Sequence, residues 1–355
     1  MGVDITKIDK NFAVGADFSE EGMRFYRIPS PAFDLYGVRY EEESGRFVRM
    51  PSDVAREVSE GVAYLNTHTA GGRLRFSTDS ENLELIVEYN LEKMRHMPMS
   101  GAAGFSLIRE EDGKTSYAAG FFPFPDSEKG FRSKMRIGNG KKMQHFSLYF
   151  PLYNNLLSLS VGVDEGATVE KGLPYKEGAP ILYYGSSITQ GGCACRPDNA
   201  YQAYISKWTN TDFINLGFSG NAKAEDRMAE YLEGLSCSVF VYDYDHNAPN
   251  AAYLEETHEK FFLHFRAHHP DTPVVMVTRP DFDSDTVGST KRRAVVKRTY
   301  RNAKKNGDEN VYFVDGQKLF GREDRENCFV DGCHPNDLGF YRMAKEIYKT
   351  VKKLV

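Results

Sequence analysis

A serine stands just beyond a glycine in Gly185-Ser186-Ser187-Ile188-Thr189, directly after the apolar run Ile181-Leu182-Tyr183-Tyr184. Far downstream, Asp331-Gly332-Cys333-His334-Pro335-Asn336 puts a carboxylate three residues before a histidine. On a turn, that spacing lets Asp331 bond one ring nitrogen of His334 while the other nitrogen faces a cleft. A hydroxyl, an imidazole and a carboxylate joined in this way form the serine triad. The base takes the hydroxyl proton, and the acid fixes the ring tautomer and stabilises the imidazolium. Ser187 is therefore the expected nucleophile, His334 the base and Asp331 the acid that orients it.

Acyl transfer also needs donors for the oxyanion, and two more segments supply them. Asn215-Leu216-Gly217-Phe218-Ser219-Gly220-Asn221 follows a short strand at Phe213-Ile214, and Asp243-Tyr244-Asp245-His246-Asn247 follows the run Val239-Phe240-Val241-Tyr242. Gly220 offers an uncovered backbone N–H and Asn247 a side-chain amide. Together with the N–H of Ser187 they are expected to converge on the developing oxyanion, where one donor is typically worth roughly 3 to 4 kcal/mol of barrier. Each segment alone has a plainer reading: Gly-Ser-Ser as a helix cap, Asp-x-x-His as a cap beside a surface histidine. Four strand exits, each with the residue type this chemistry uses, outweigh the plain readings.

In this order the four blocks resemble the SGNH hydrolases, or GDSL-type esterases, over roughly the C-terminal half from Pro180 onward. The resemblance implies a flavodoxin-like three-layer α/β/α sandwich that hydrolyses carboxylic esters, with Ser187, Gly220 and Asn247 as oxyanion donors beside the Ser187, His334, Asp331 triad. Cys193-Ala194-Cys195-Arg196-Pro197-Asp198-Asn199-Ala200-Tyr201 is similar to the branch with an N-terminal β domain and a Gly-x-Asp-Leu-Tyr signature. Ala32-Phe33-Asp34-Leu35-Tyr36 matches that signature with Ala32 in place of the glycine. Two departures stand out. Ser186 occupies the position of the family's aspartate, and Asp245-His246 replaces a small Gly-x pair, giving a bulkier, more polar wall beside Asn247. Ser186, Gln190, Asp245, His246 and Arg279 are the expected substrate contacts.

These side chains must be carried on strands. From Pro180 onward, apolar runs at 181–184, 213–215, 239–243, 274–278 and 311–314 alternate with helical patterns at 200–209, 222–232, 253–268, 291–305 and 337–353. Such alternation predicts a parallel sheet with right-handed crossovers. The last helix has Leu338, Met343, Ile347 and Val351 as its apolar stripe. Before residue ~170 the signals are strands separated by turns, at 74–77, 83–89, 105–109, 116–122, 146–150 and 156–163, which predict an antiparallel sandwich or jelly roll. Residues 172–180 read as a linker. The division is 1–173 for the β-sandwich accessory domain and 174–355 for the catalytic domain.

With 355 residues and 41% hydrophobic content, the chain has material for two cores. A net charge of −5 and a pI near 6.0 argue against a generic nucleic-acid or anionic-membrane binder. No stretch approaches the ~20 apolar residues that span a bilayer. The start fits the Met-Gly-x-x-x-Thr acylation pattern, a short match set aside as chance, and lacks a secretory signal, so a cytoplasmic location is expected. The five cysteines are not a disulfide framework. Cys193, Cys195 and Cys333 are expected near the active site as reduced thiols, with neither metal nor cofactor required. The basic run 291–301 reads as the solvated face of a helix, with Ala294, Val295 and Val296 turned inward, and His258, His264, His268 and His269 as another solvated helix face.

The expected activity is hydrolysis of short acyl esters, acetyl foremost, on a carbohydrate or other small polar alcohol. The alternatives are a thioesterase or acyltransferase on the same machinery, or a carbohydrate-binding protein with an inactive SGNH half. The expected partner is a small-molecule or oligosaccharide ester, with no nucleic acid or membrane; a homo-oligomer is compatible with the chain.

Overall fold

A computed structural model describes residues 18–20, 22–140 and 142–355. The Met-Gly-x-x-x-Thr start lies outside them. The chain forms two compact units, one of residues up to Arg49, 67–174 and 195–198, the other of 50–66, 175–194 and 199–355. A single boundary at 173/174 does not describe this division, because 50–66 packs with the second unit.

In the first unit the main strands are β1 (Met23–Arg27), β2 (Arg73–Thr78), β3 (Asn82–Glu88), β4 (Phe105–Glu111), β5 (Lys114–Phe121), β6 (Gly130–Arg136), β7 (Gln144–Tyr149) and β8 (Ser158–Asp164). They lie in two antiparallel sheets, ordered β1-β8-β3-β6 and β2-β7-β4-β5, with short strands added at the edges. Most connections hop from one sheet to the other, which is the jelly-roll arrangement. Period-2 alternation turns Leu83, Leu85, Val87, Leu159, Val161 and Val163 of one sheet against Leu74, Phe76, Leu107, Phe146 and Leu148 of the other, all buried. The Asp34-Leu35-Tyr36 signature is itself a short strand on β2, with Leu35 opposite Leu74. β1 and β6 had no counterpart in the sequence reading: their polar residues, as in Arg132-Ser133-Lys134, mask the alternation.

The second unit is built on a parallel sheet of β9 (Ile181–Gly185), β10 (Phe213–Gly217), β11 (Val239–Asp243), β12 (Val274–Val277) and β13 (Val311–Val314), in the order β10-β9-β11-β12-β13. This is the flavodoxin-like order, and it reverses direction at β9. Leu182 and Tyr184 face one layer, with Phe240, Tyr242 and Met276, against helices α5 (Asp226–Glu233), α6 (Ala251–His268) and α7 (Thr286–Lys305). Tyr183 faces the other, where it meets Tyr201 of α4 (Tyr201–Thr209), which in turn stacks near Phe340 of α8 (Asp337–Val351).

Two short helices, α1 (Ser52–Val58) and α2 (Glu60–Leu65), join the first of these layers through Ala55, Val62 and Leu65. Ser59 caps α2 by accepting the Val62 N–H at 3.1 Å. They were not expected, since a helix of one or two turns buries too few residues to show a helical period. Other boundaries moved for local reasons. α5 begins at Asp226 rather than 222 because Ala224 is left-handed (φ 58°). α7 begins earlier because the Asp285 carboxylate caps it, accepting the Gly288 N–H at 2.9 Å. On α8 the buried stripe is Phe340, Met343, Ala344, Ile347 and Val351, while Leu338 is exposed.

The basic stretch lies on α7 with Val295 and Val296 buried, but the inward face is corrected at two positions: Ala294 is exposed, and Arg292 is buried instead and donates to the Ala248 carbonyl at 2.6 Å. The histidine face is corrected: His258 is buried against Thr299 (2.9 Å), and burial pushes its imidazole down to about 3. Among the described residues no helix is long and apolar enough to cross a membrane. Leu182 is fully buried in the sheet's core, so Leu182→Ala is expected to lower stability by about 2–5 kcal/mol, measurable by denaturant unfolding.

Candidate active site

Ligands of open α/β sheets sit beyond the carboxyl ends of strands where the strand order reverses. Here that point is the end of β9, between β10 and β11, where Gly185 is level with Gly217 on one side and Asp243 on the other. Helix α3 (Ser187–Gln190) starts immediately after, with Ser187 as its first residue. Ser186 is the cap: its Oγ accepts the Ile188 N–H at 3.1 Å. The plain cap reading thus falls on Ser186, which leaves Ser187 as the candidate nucleophile.

Two glycines let α3 sit this low. A Cβ on Gly185 would stand 2.1 Å from Thr189 Oγ1 and 2.3 Å from the Asp243 carbonyl oxygen. One on Gly217 would stand 2.2 Å from the Gln190 nitrogen. The turn is then pinned from beneath: Asn215 and Gln202 both donate to the Thr189 carbonyl, at 2.8 and 2.6 Å, and Gln190 Oε1 accepts the Ser219 N–H at 3.1 Å.

Ser187 Oγ is 2.9 Å from His334 Nε2, and His334 Nδ1 is 2.8 Å from Asp331 Oδ2. The other Asp331 oxygen accepts the backbone N–H groups of His334 (2.8 Å) and Cys333 (3.1 Å), which fixes the turn that the three-residue spacing allowed. Partial burial works against the Asp331 charge, but those N–H groups and the imidazole outweigh it and hold the carboxyl below its ordinary range. Burial likewise disfavours the His334 imidazolium, yet Cys333 and Asp331 prevail and raise the ring above its ordinary value.

The oxyanion segments meet one another. Gly220 N–H donates to Asn247 Oδ1 at 3.2 Å, and Asn247 Nδ2 donates to the Phe218 carbonyl at 2.8 Å. A donor on one side and an acceptor on the other fix the amide's orientation. The expectation of an uncovered Gly220 N–H is corrected, because the neighbouring side-chain amide takes it up. Asn247 keeps a second Nδ2 hydrogen beyond the one given to Phe218.

Three of the expected substrate contacts are buried and turned inward. Ser186 is spent as the cap, Gln190 on Ser219, and Asp245 Oδ2 accepts the Arg279 N–H at 3.2 Å. His246 and Arg279 stay partly exposed, and both bind Asp281: His246 Nε2 at 3.2 Å from Oδ2, Arg279 Nε at 2.7 Å from Oδ1 with its Nη2 on Oδ2. His246 Nε2 is also 3.3 Å from Cys333 Sγ.

Asp243 and Asp281 were missing from the sequence reading of the site. Asp243 lies beneath the Ser187 turn, bonded by Thr189 Oγ1 and Tyr201 OH, both at 3.1 Å, and burial pushes it up to about 8. Burial would raise Asp281 as well, but Arg279 and His246 hold it far below the ordinary carboxylate range. The same partners act on the thiol: burial opposes its ionisation, and the two imidazoles of His246 and His334 bring Cys333 down to about 7. His246 in turn is raised to about 10 against the cost of burial, by Asp281 and Cys333. Of the thiols expected here, Cys193 also lies within 4.8 Å of a His334 ring nitrogen, whereas Cys195 is exposed in the other unit.

Residues 178–352 match the profile of the GDSL-like lipase/acylhydrolase family, and residues 23–169 match that of the N-terminus of SGNH-hydrolase-type esterases, named for its GxDLY signature. The chain belongs to the GDSL-like, SGNH-type acylhydrolases. It is an ester hydrolase of that family. A solved candidate GDSL-like lipase from Bacteroides ovatus ATCC 8483 is 29% identical, with a TM-score of 0.82 over 93% of this acylhydrolase and 98% of that chain. The salicylyl-acyltransferase SsfX3 from a tetracycline biosynthetic pathway is 20% identical, with a TM-score of 0.76 over 95% and 98%. An acetyl xylan esterase from the rumen bacterium Butyrivibrio proteoclasticus is 13% identical, with a TM-score of 0.56 over 93% and 98%, a likeness of fold. No curated protein matches the acylhydrolase in sequence.

Because a methyl group at position 185 has no room between Thr189 and Asp243, Gly185→Ala is expected to lift α3. Ester turnover should fall by at least about tenfold, and the thermal unfolding temperature should fall with it.

Proposed function

We propose that the enzyme hydrolyses short acyl esters, acetyl foremost, carried on a carbohydrate or another polar alcohol, through a covalent acyl-serine. The observation that carries this reading is the chain of hydrogen bonds from Ser187 Oγ through the His334 ring to Asp331. His334 Nε2 takes the Ser187 proton as Oγ attacks the ester carbonyl. The oxyanion is held by the Ser187 N–H, which at the first position of a helix points out of the ladder, and by the second hydrogen of Asn247 Nδ2. Gly220 joins them by transferring its N–H from Asn247 Oδ1 to the stronger anionic acceptor. The imidazolium then protonates the leaving alcohol, and a water activated by the same ring releases the acid. Asp331 holds the tautomer throughout.

Support for a polar leaving group comes from the rim, where His246 and Arg279 keep charged and polar atoms partly exposed beside Asn247. The acetyl xylan esterase shares the fold. A second reading, acyl transfer to an alcohol, is favoured by the overall likeness to the salicylyl-acyltransferase and uses the same acyl-serine.

Turnover of 4-nitrophenyl acetate should exceed that of longer-chain esters, and Ser187→Ala should reduce it by about three orders of magnitude or more. Undiminished turnover in the mutant, or preference for long acyl chains, would overturn the proposal. Faster loss of substrate with added alcohols, with ester products formed, would establish the transferase reading.

The base must be neutral to act, so activity is lost as pH falls through its value. The His334 ring is raised, so the acid limb of kcat/KM is expected to have its midpoint above the ordinary imidazole value of about 6.5. A pH–rate profile with a midpoint below that value would remove His334 from the role.

A further inference from the structure

Beside the triad lies a second cluster that takes no part in the proton and acyl transfers. His246 Nε2 is 3.3 Å from Cys333 Sγ and 3.2 Å from Asp281 Oδ2, and the three ligand atoms lie within 4.8 Å of one another. They come from the loop after β11, the loop after β12 and the loop before α8, and converge edge to edge. Ligand atoms on one tetrahedral zinc ion stand about 3.3–3.6 Å apart, given Zn–N and Zn–O bonds of about 2.0–2.1 Å and a Zn–S bond of about 2.3 Å. The two measured edges are close to that spacing. A thiolate, an imidazole and a carboxylate select thiophilic or borderline divalent cations over magnesium or calcium. Arg279 binds both oxygens of Asp281, through Nε on Oδ1 and Nη2 on Oδ2, and so fixes the carboxylate's orientation, as outer partners of metal ligands do.

We propose that Cys333, His246 and Asp281 form a site for a thiophilic divalent cation such as Zn²⁺, and that its occupancy inhibits the enzyme. The ion takes Nε2 of His246 and the Cys333 sulfur in place of their protons, which pass to solvent. Water completes the coordination. Cys333 Sγ also lies within 4.8 Å of a His334 ring nitrogen. A dication there opposes the imidazolium that His334 must form during acyl transfer. The inhibition, though not the binding, rests on the proposed esterase mechanism.

The test is titration of the enzyme with Cd²⁺ and Zn²⁺. The thiolate-to-cadmium charge-transfer band reports binding, and 4-nitrophenyl acetate turnover reports inhibition. Wild type should bind one ion through sulfur, lose at least about tenfold in activity, and regain it with a chelator. His246→Gln and Cys333→Ser, each checked for folding by circular dichroism, should weaken binding at least tenfold, and Cys333→Ser should abolish the band. His264 and His268 with Glu233 form another cluster within ligand distance on α5 and α6, so His268→Gln serves as a control that should change nothing. A band without any metal-free ester turnover would support the site and count against the esterase reading. Absence of a band in wild type, inhibition unchanged in both variants, or inhibition lost in His268→Gln would overturn the proposal.

Discussion

Backbone has to approach backbone at the end of β9, and the arrangement of the site follows from that constraint. Gly185 lies against the Asp243 carbonyl and Gly217 against the Gln190 nitrogen, at separations where any Cβ would collide. Only that closeness lets Asn215 and Gln202 reach the Thr189 carbonyl and hold a helix of four residues, too short to be stable alone. Ser187 is thereby held at the strand-order reversal, within hydrogen-bond reach of a histidine that enters the sequence 147 residues later.

Around this turn, carboxylates of one chemical type take opposite states. Asp243 is buried and bonded by two neutral hydroxyls, and burial outweighs them. Asp281 is buried too, but Arg279 and His246 meet its charge directly. Asp331 is more exposed and is held ionised by backbone N–H groups and the His334 ring. The loop after β11 also carries both Asn247 and His246, and the loop before α8 carries both Cys333 and His334. The contact of His246 with Cys333 therefore ties the Asn247 loop to the His334 loop.

Much of the fold was legible from period alone. The strands of the second unit are continuous apolar runs bounded by turn residues, and those of the first alternate cleanly wherever one face is buried. β1 and β6 escaped because charged residues fill their outer face, and α1 and α2 because a helix of one or two turns shows no period. α1 and α2 are buried in one cluster with Leu216, Phe218 and Ala222, far away in the chain, so nothing local announces it.

By itself, the sequence determined the family, the layer architecture and the residues that meet at the end of β9, because residue type and strand-exit position are local properties. Tertiary structure decided what those residues do to one another. It spent Ser186, Gln190 and Asp245 on internal hydrogen bonds, gave the Gly220 N–H to Asn247, and brought Asp281 and Cys333 onto His246. Burial and pairing depend on distances between loops far apart in sequence, and those distances exist only once the sheet has ordered its strands.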